Sequence, residues 1–135
     1  MKFTTTLLIK SGPDTLFRLL TDPRNLSKWQ HGFKQYKPEK GRRRAPGHTG
    51  VLVFQDGEER TEVQEEVLAC EPGRLFAARL RHRNMDSTVR YELRDQGQGA
   101  TKLTAQTRVR LKPFFFNLLA FFVKGPMRKQ AREDL

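Results

Sequence analysis

One cysteine, Cys70, stands among the 135 residues. It has no partner for an internal disulfide, so a reducing compartment is expected and the fold must rest on burial. No apolar run reaches the roughly 20 residues of a membrane-spanning helix. The richest run, FFFNLLAFFV at Phe114–Val123, is about half that length, which excludes a span but not contact with a membrane surface. The opening MKFTTTLLIK has one early lysine and too few apolar residues for a signal peptide, so the expected location is the cytoplasm. A Gly-rich phosphate loop is missing, as is any Ser/His/Asp order suited to nucleophilic catalysis. His31, His48 and His82 lack metal-site spacing and cysteine companions, so neither metal nor cofactor is expected. Internal repeats, low-complexity tracts and linkers are also absent, and residues 1–135 read as a single domain. Acidic residues are few beside basic ones, 15 against 26, for a net charge of +11. Such a charge favours anionic partners, whether nucleic acid, acidic lipid or an acidic protein, unless it only solvates the surface.

The pattern of what is present is strand, two short helices, six strands, long helix. In KFTTTLLIK, Phe3, Thr5, Leu7 and Ile9 share one face. In SGPDTLFRLLTDP, Ser11 suits an N-cap, Pro13 a first turn and Asp14 the positive helix end, while Leu16, Phe17, Leu19 and Leu20 form an apolar face. Asp22-Pro23 breaks that helix, and PRNLSKW starts a second, ending near Trp29. From Phe33 to Lys112 the period is two. Strands are expected around Phe33–Lys37, Gly50–Gln55, Arg60–Cys70, Leu75–Arg83, Ser87–Arg94 and Thr101–Lys112, with Lys37–Gly50 as a long loop. Short turns at Asp56-Gly57, Pro72-Gly73 and Gln96–Gly99 imply an antiparallel meander. A helix is expected from about Phe115 to the end, its stripe formed by Phe115, Leu118, Leu119, Phe122, Val123, Met127, Ala131 and Leu135.

A tight hairpin at Pro72-Gly73 sets the register. One face then pairs Glu66 with Arg79 and Glu62 with Arg83, a ladder of opposite charge expected to meet solvent. The other pairs Val67 with Ala78, Glu65 with Leu80 and Val63 with His82. That inward face is apolar except for Glu65 and His82, which become diagonal neighbours. Val89, Tyr91, Leu93, Leu103, Ala105, Thr107 and Val109 also face in, and the arginines of those strands face out. Part of the positive charge is thereby matched by glutamates, and no specific nucleic acid is expected. Ala78, Ser87, Ala105 and Thr107 are small, leaving space for the phenylalanines of the final helix or for a cavity.

These pieces resemble the START-like, or SRPBCC, superfamily, which includes polyketide cyclases and birch-pollen-allergen-like proteins. The resemblance rests on the strand followed by SGPDTLFRLLTDPRNLSKW, the EVLACEPGRLFAARL and YELRDQGQGATKLT hairpins, and the amphipathic final helix. It implies an α+β helix-grip fold: a curved seven-stranded antiparallel sheet around a long C-terminal helix, with two short helices after the first strand and a hydrophobic tunnel between. Members of the superfamily bind lipids, sterols, polyketides, quinones or hormones, and some catalyse cyclisation or dehydration. They share no catalytic motif, so none is carried over.

The expected ligand is a small hydrophobic molecule, lipid, polyketide or another aromatic or isoprenoid-like compound. It would be held by Trp29, Phe54, Glu65, His82, Tyr91, Thr107, Leu119 and Phe122. The alternatives are a cyclase or dehydratase with Glu65 and His82 as catalytic candidates, and a protein-interaction module with a filled core. For Glu65 and His82 the plainer role is a mutual hydrogen bond; for Trp29, Phe54 and Tyr91 it is core packing. Phe116 and Phe121 fall off the helical stripe and are flanked by Lys112, Lys124, Arg128, Lys129 and Arg132. They suit an anionic membrane surface, a second copy of the chain in a homo-oligomer, or burial under the long loop. Phe116→Asp combined with Phe121→Asp is expected to abolish binding to anionic liposomes in a flotation assay; a double variant that unfolds instead assigns the run to the core.

Overall fold

The computed structural model describes residues 2–83, 85–110 and 131–134. The chain order is β1 (Lys2–Ile9), α1 (Pro13–Thr21), a 3₁₀ helix (Pro23–Lys28), β2 (Phe33–Lys40), β3 (Thr49–Asp56), β4 (Glu59–Glu71), β5 (Leu75–His82), β6 (Met85–Gly97), β7 (Ala100–Arg110) and β8 (Ala131–Asp134). The strands form one antiparallel sheet in the order β2-β3-β4-β5-β6-β7-β1-β8. The sheet is that expected for the helix-grip fold, with the seven strands of the sequence pattern in place. Two expectations change. β2 runs on through Pro38 to Lys40, shortening the long loop to 41–48. At the C-terminus, residues 131–134 pair with β1 as an eighth strand where a helix was expected to continue. The physical reason is the free edge of β1, whose backbone groups are satisfied by an added strand. The rest of that helix, with Leu119, Phe122, Phe116 and Phe121, lies outside the described residues.

One face of the sheet carries the core. Leu52, Phe54, Val63, Val67, Phe76, Ala78, Leu80, Val89, Tyr91, Leu93 and Leu103 pack there against Leu16, Phe17 and Leu20 of α1 and Leu26 of the 3₁₀ helix. The alternation that the sequence displays is thus the physical cause of the layering, since each strand turns every second residue to the helices. The inferred pairs Glu66↔Arg79, Glu65↔Leu80 and Val67↔Ala78 are present. They arise in an unexpected way. The turn spans three residues, so Glu71 faces Leu75, and an irregularity between Val67 and Ala69 restores the register. Gly73, at φ +75, supplies the left-handed residue of this turn. Ion pairing on the outer face is offset from the expected rungs: Arg79 binds Asp86 at 2.6 Å, and Arg81 reaches Glu66 at 4.0 Å.

Asp22 joins three segments. Its side chain accepts from the Arg24 backbone N–H at 2.9 Å, capping the 3₁₀ helix. It also binds the guanidinium of Arg24 at 2.7 Å and that of Arg44 at 2.9 Å, tethering the 41–48 loop. The hydrogen bond from Arg24 holds the Asp22 carboxyl well below the usual range, against the opposing effect of burial. Its stabilising effect is therefore present at neutral pH and lost in strong acid. Asp22→Ala is expected to lower unfolding free energy by about 1–3 kcal/mol in urea denaturation at pH 7, with Asp22→Asn recovering part of the loss through the backbone cap.

Candidate functional site

Glu65 is the acid on the apolar inner face, and the sheet register builds its surroundings. On β3 its direct partner is Gly50. A Cβ placed on Gly50 would overlap the ring and hydroxyl of Tyr36. The missing side chain lets the tyrosine, one strand further out on β2, lie across β3 and hydrogen-bond the Glu65 carboxyl. The Tyr36 hydroxyl also lies 2.7 Å from His48 Nε2, and His48 Nδ1 lies 3.3 Å from the Gly41 carbonyl. His48 is buried at the base of the 41–48 loop, where its backbone exchanges bonds with Ala45 and Val67.

These contacts form a hydrogen-bonded chain. With Glu65 protonated, its O–H can donate to Tyr36 while the Tyr36 hydroxyl meets His48 Nε2 and Nδ1 meets the Gly41 carbonyl. With Glu65 ionised, Tyr36 turns to donate to the carboxylate. Burial pushes the Glu65 carboxyl up to about 7, with the Tyr36 hydrogen bond opposing. Burial, then the nearby Glu65 charge, raises the Tyr36 and Tyr91 hydroxyls above the ordinary phenol range.

A cleft of about 270 Å³ opens onto this network. Val67 and Phe76 give it an apolar floor, Thr21, Tyr36, His48 and Glu65 give it polar groups, and Arg18, Arg24, Arg43 and Arg44 stand around it with Asp22. Behind Glu65 a smaller space of about 20 Å³ is lined by Gln30, Leu80, Val89 and Tyr91, among others. Gln30 Oε1 is buried there without a hydrogen-bond partner among the described residues. A wider groove of about 570 Å³ runs past Pro72, Arg74, Arg90, Glu92 and Arg94. Its lining is charged and it includes no enclosed acid, so it suits a small hydrophobic molecule less well. Among the described residues, no cluster of three or more His, Cys, Asp or Glu could hold a metal.

Of the residues singled out from the sequence, Glu65 lines both the cleft and the inner space, and Tyr91 lines the inner space. Trp29 packs edge-on to Tyr91 at 6.4 Å, and its indole N–H donates to the Leu19 carbonyl at 2.9 Å. Phe54 is fully buried against Phe33, and Thr107 is buried opposite Val89; neither lines the cleft. His82 does not meet Glu65. As the last residue of β5 it turns its Nδ1 to the Glu62 carbonyl at 2.8 Å. The ring facing Glu65 from the loop side is instead reached through Tyr36 and belongs to His48. Sequence reading missed Tyr36 and His48, although one signal was present: a glycine inside a strand, Gly50, marks a close approach.

A family model described as polyketide cyclase / dehydrase and lipid transport matches residues 1–133. No functionally curated protein matches the sequence. Among solved structures, Ara h 8.0201 is similar with TM-score 0.73 at 10% identity, covering 89% of this chain and 87% of its own. Protein CV1439 from Chromobacterium violaceum gives 0.71 at 19% identity, covering 90% of each chain. The Zhui aromatase/cyclase from Streptomyces sp. R1128 gives 0.65 at 12% identity, covering 83% of this chain and 70% of that one. At these identities the likeness is one of fold.

The raised carboxyl has a consequence for stability. Between 4.5, its ordinary value, and about 7, the folded chain keeps a proton on Glu65 that the unfolded chain releases. The contribution is fully present below the lower value and lost as pH rises through the upper one. Unfolding free energy from Glu65 is expected to fall by about 3 kcal/mol across that window, and Glu65→Gln to remove this component in parallel urea titrations. Identical pH dependence in the two proteins would show that the acid is not held protonated.

Proposed function

The chain belongs to the polyketide cyclase / dehydrase and lipid transport family, and on that premise we propose that it binds a small, largely hydrophobic molecule in the cleft above Glu65. The observation that carries this reading is an enclosed carboxylic acid at the end of a cleft floored by Val67 and Phe76. Apolar walls supply affinity by burial, and one well-placed polar group fixes orientation. Protonated Glu65 would turn its O–H from Tyr36 to a carbonyl or hydroxyl on the ligand, with Tyr36 donating in turn to the other carboxyl oxygen and so keeping the group aimed.

Acid–base chemistry of the cyclase or dehydratase kind is a second reading, favoured by the Glu65 carboxyl standing at one end of the Tyr36–His48 chain. In a dehydration, the Glu65 carboxylate would take a proton from the carbon beside a carbonyl. It would then return that proton to the departing hydroxyl, which leaves as water. A carboxyl titrating near neutrality is suited to both halves of that exchange. In this reading His48, rather than the His82 expected from the sequence, stands at the far end of the network.

Native mass spectrometry of the protein from its own host, followed by solvent extraction, is expected to show one hydrophobic compound per chain. Gly50→Ala, which drives the Tyr36 ring from its place, is expected to weaken rebinding of that compound by about tenfold or more, a loss of at least ~1.4 kcal/mol. Undiminished rebinding by a folded Gly50→Ala protein would remove Tyr36 and Glu65 from the binding site.

A further inference from the structure

The rim of the cleft differs from its floor. Four guanidinium side chains, Arg18, Arg24, Arg43 and Arg44, line it together with two acids, Asp22 and Glu65. Asp22 is taken up by Arg24 and Arg44. Glu65 lies deeper and forms no ion pair among the described residues. Arg18 and Arg43, both exposed, likewise have no carboxylate partner among the described residues and are free to meet an anion. These two come from different elements, α1 and the 41–48 loop, and converge on one opening.

Their direction is also informative. Arg43 is close enough to the Tyr36 hydroxyl to act on it electrostatically, and Arg44 is close enough to act on Cys70. The loop therefore turns positive charge toward the cleft as well as toward solvent. The tether that holds it there is the Arg44–Asp22 pair at 2.9 Å, where Asp22 is 6% exposed in its side chain.

We propose that the molecule taken up by this cleft is a hydrophobic acid, whose carboxylate sits between Arg18 and Arg43 while its apolar body lies on Val67 and Phe76. The proposal rests on the cleft being the ligand site and adds the charge of the ligand. Guanidinium groups match carboxylate geometry and lose little hydration on pairing, so an anion at the mouth is favoured where a neutral group of the same shape gains nothing. At the other end of the ligand, protonated Glu65 adds no second negative charge to repel it. A net positive rim also raises the local concentration of anions and speeds their encounter.

The test compares two probes with one aromatic body, 2-naphthoate and 2-naphthamide, by fluorescence titration of the full chain at about pH 6, below the Glu65 value of about 7 and above the usual carboxylate range. At low salt the carboxylate is expected to bind at least about tenfold more tightly than the amide, and the advantage should shrink at about 0.5 M salt. In the double variant Arg18→Gln/Arg43→Gln, the carboxylate should fall to the affinity of the amide, with the fold checked by circular dichroism. Equal binding of the two probes by the unaltered protein overturns the anion site and leaves the cleft as a hydrophobic site. A carboxylate preference that survives in the folded double variant also overturns it, since the anion is then held elsewhere. Binding of neither probe overturns the ligand reading itself. Should the double variant fail to fold, Arg18→Lys and Arg43→Lys singly replace it; a full tenfold preference in both refutes guanidinium recognition.

Discussion

A carboxyl group turned away from water needs partners, and much of the architecture around Glu65 meets that demand. The alternation of β4 forces residue 65 to the inner face between Val63 and Val67. Nothing on its own strand can satisfy it. The neighbouring strand contributes an absence, Gly50, and the strand beyond contributes the tyrosine that uses the space. Tyr36 in turn needs His48, and His48 is oriented by the Gly41 carbonyl at the other end of the loop. A single inward acid thus sets residues on two neighbouring strands and a loop. An unpaired carboxylate there would cost several kcal/mol, which explains why the group is held near neutrality rather than fully charged.

The second level of support lies in Asp22. It ends α1, caps the 3₁₀ helix and grips the loop through Arg44. An exposed ion pair contributes little, but Asp22 is 4% exposed and serves three segments at once. The loop bearing His48 and Arg43 is therefore held in its middle by Asp22 from the helical layer and at its end by Tyr36 from the sheet. The polar chemistry of the cleft and the position of its mouth follow from these two acids, one kept ionised and one raised to titrate near neutrality.

How much of this was legible in the sequence depends on where the alternation runs undisturbed. In β4 up to Val67, and in β6 and β7, the inner faces could be read residue by residue, and Glu65 appeared as the inward acid. In β2 the period fails. A register shift between Phe33 and Gln35 brings Phe33 and Tyr36, three residues apart, to the same face. No parity rule could select Tyr36 across that irregularity. His82 illustrates the opposite error. Its parity is inward, but it closes β5 beside Arg83, whose φ of 37 turns the chain, and the ring swings to a backbone carbonyl. His48 lies in a segment rich in glycine and arginine, which composition marked only as a long loop and which the tether to Asp22 holds in place. The hairpin at residues 72–74 gave the right register from the wrong turn length, because an extra residue in β4 offset the longer turn.

Among the described residues, β2 is the outermost strand on its side of the sheet and has β3 as its one neighbour. Edge strands open locally more readily than central ones, without unfolding of the rest. Each such excursion would carry the Tyr36 hydroxyl away from Glu65 and admit water to the carboxyl, lowering its proton affinity for as long as the strand is detached. The acidity at the centre of the cleft is thereby coupled to the breathing of the molecule's margin, and amide exchange along residues 33–40 becomes a readout of how often the acid is left alone.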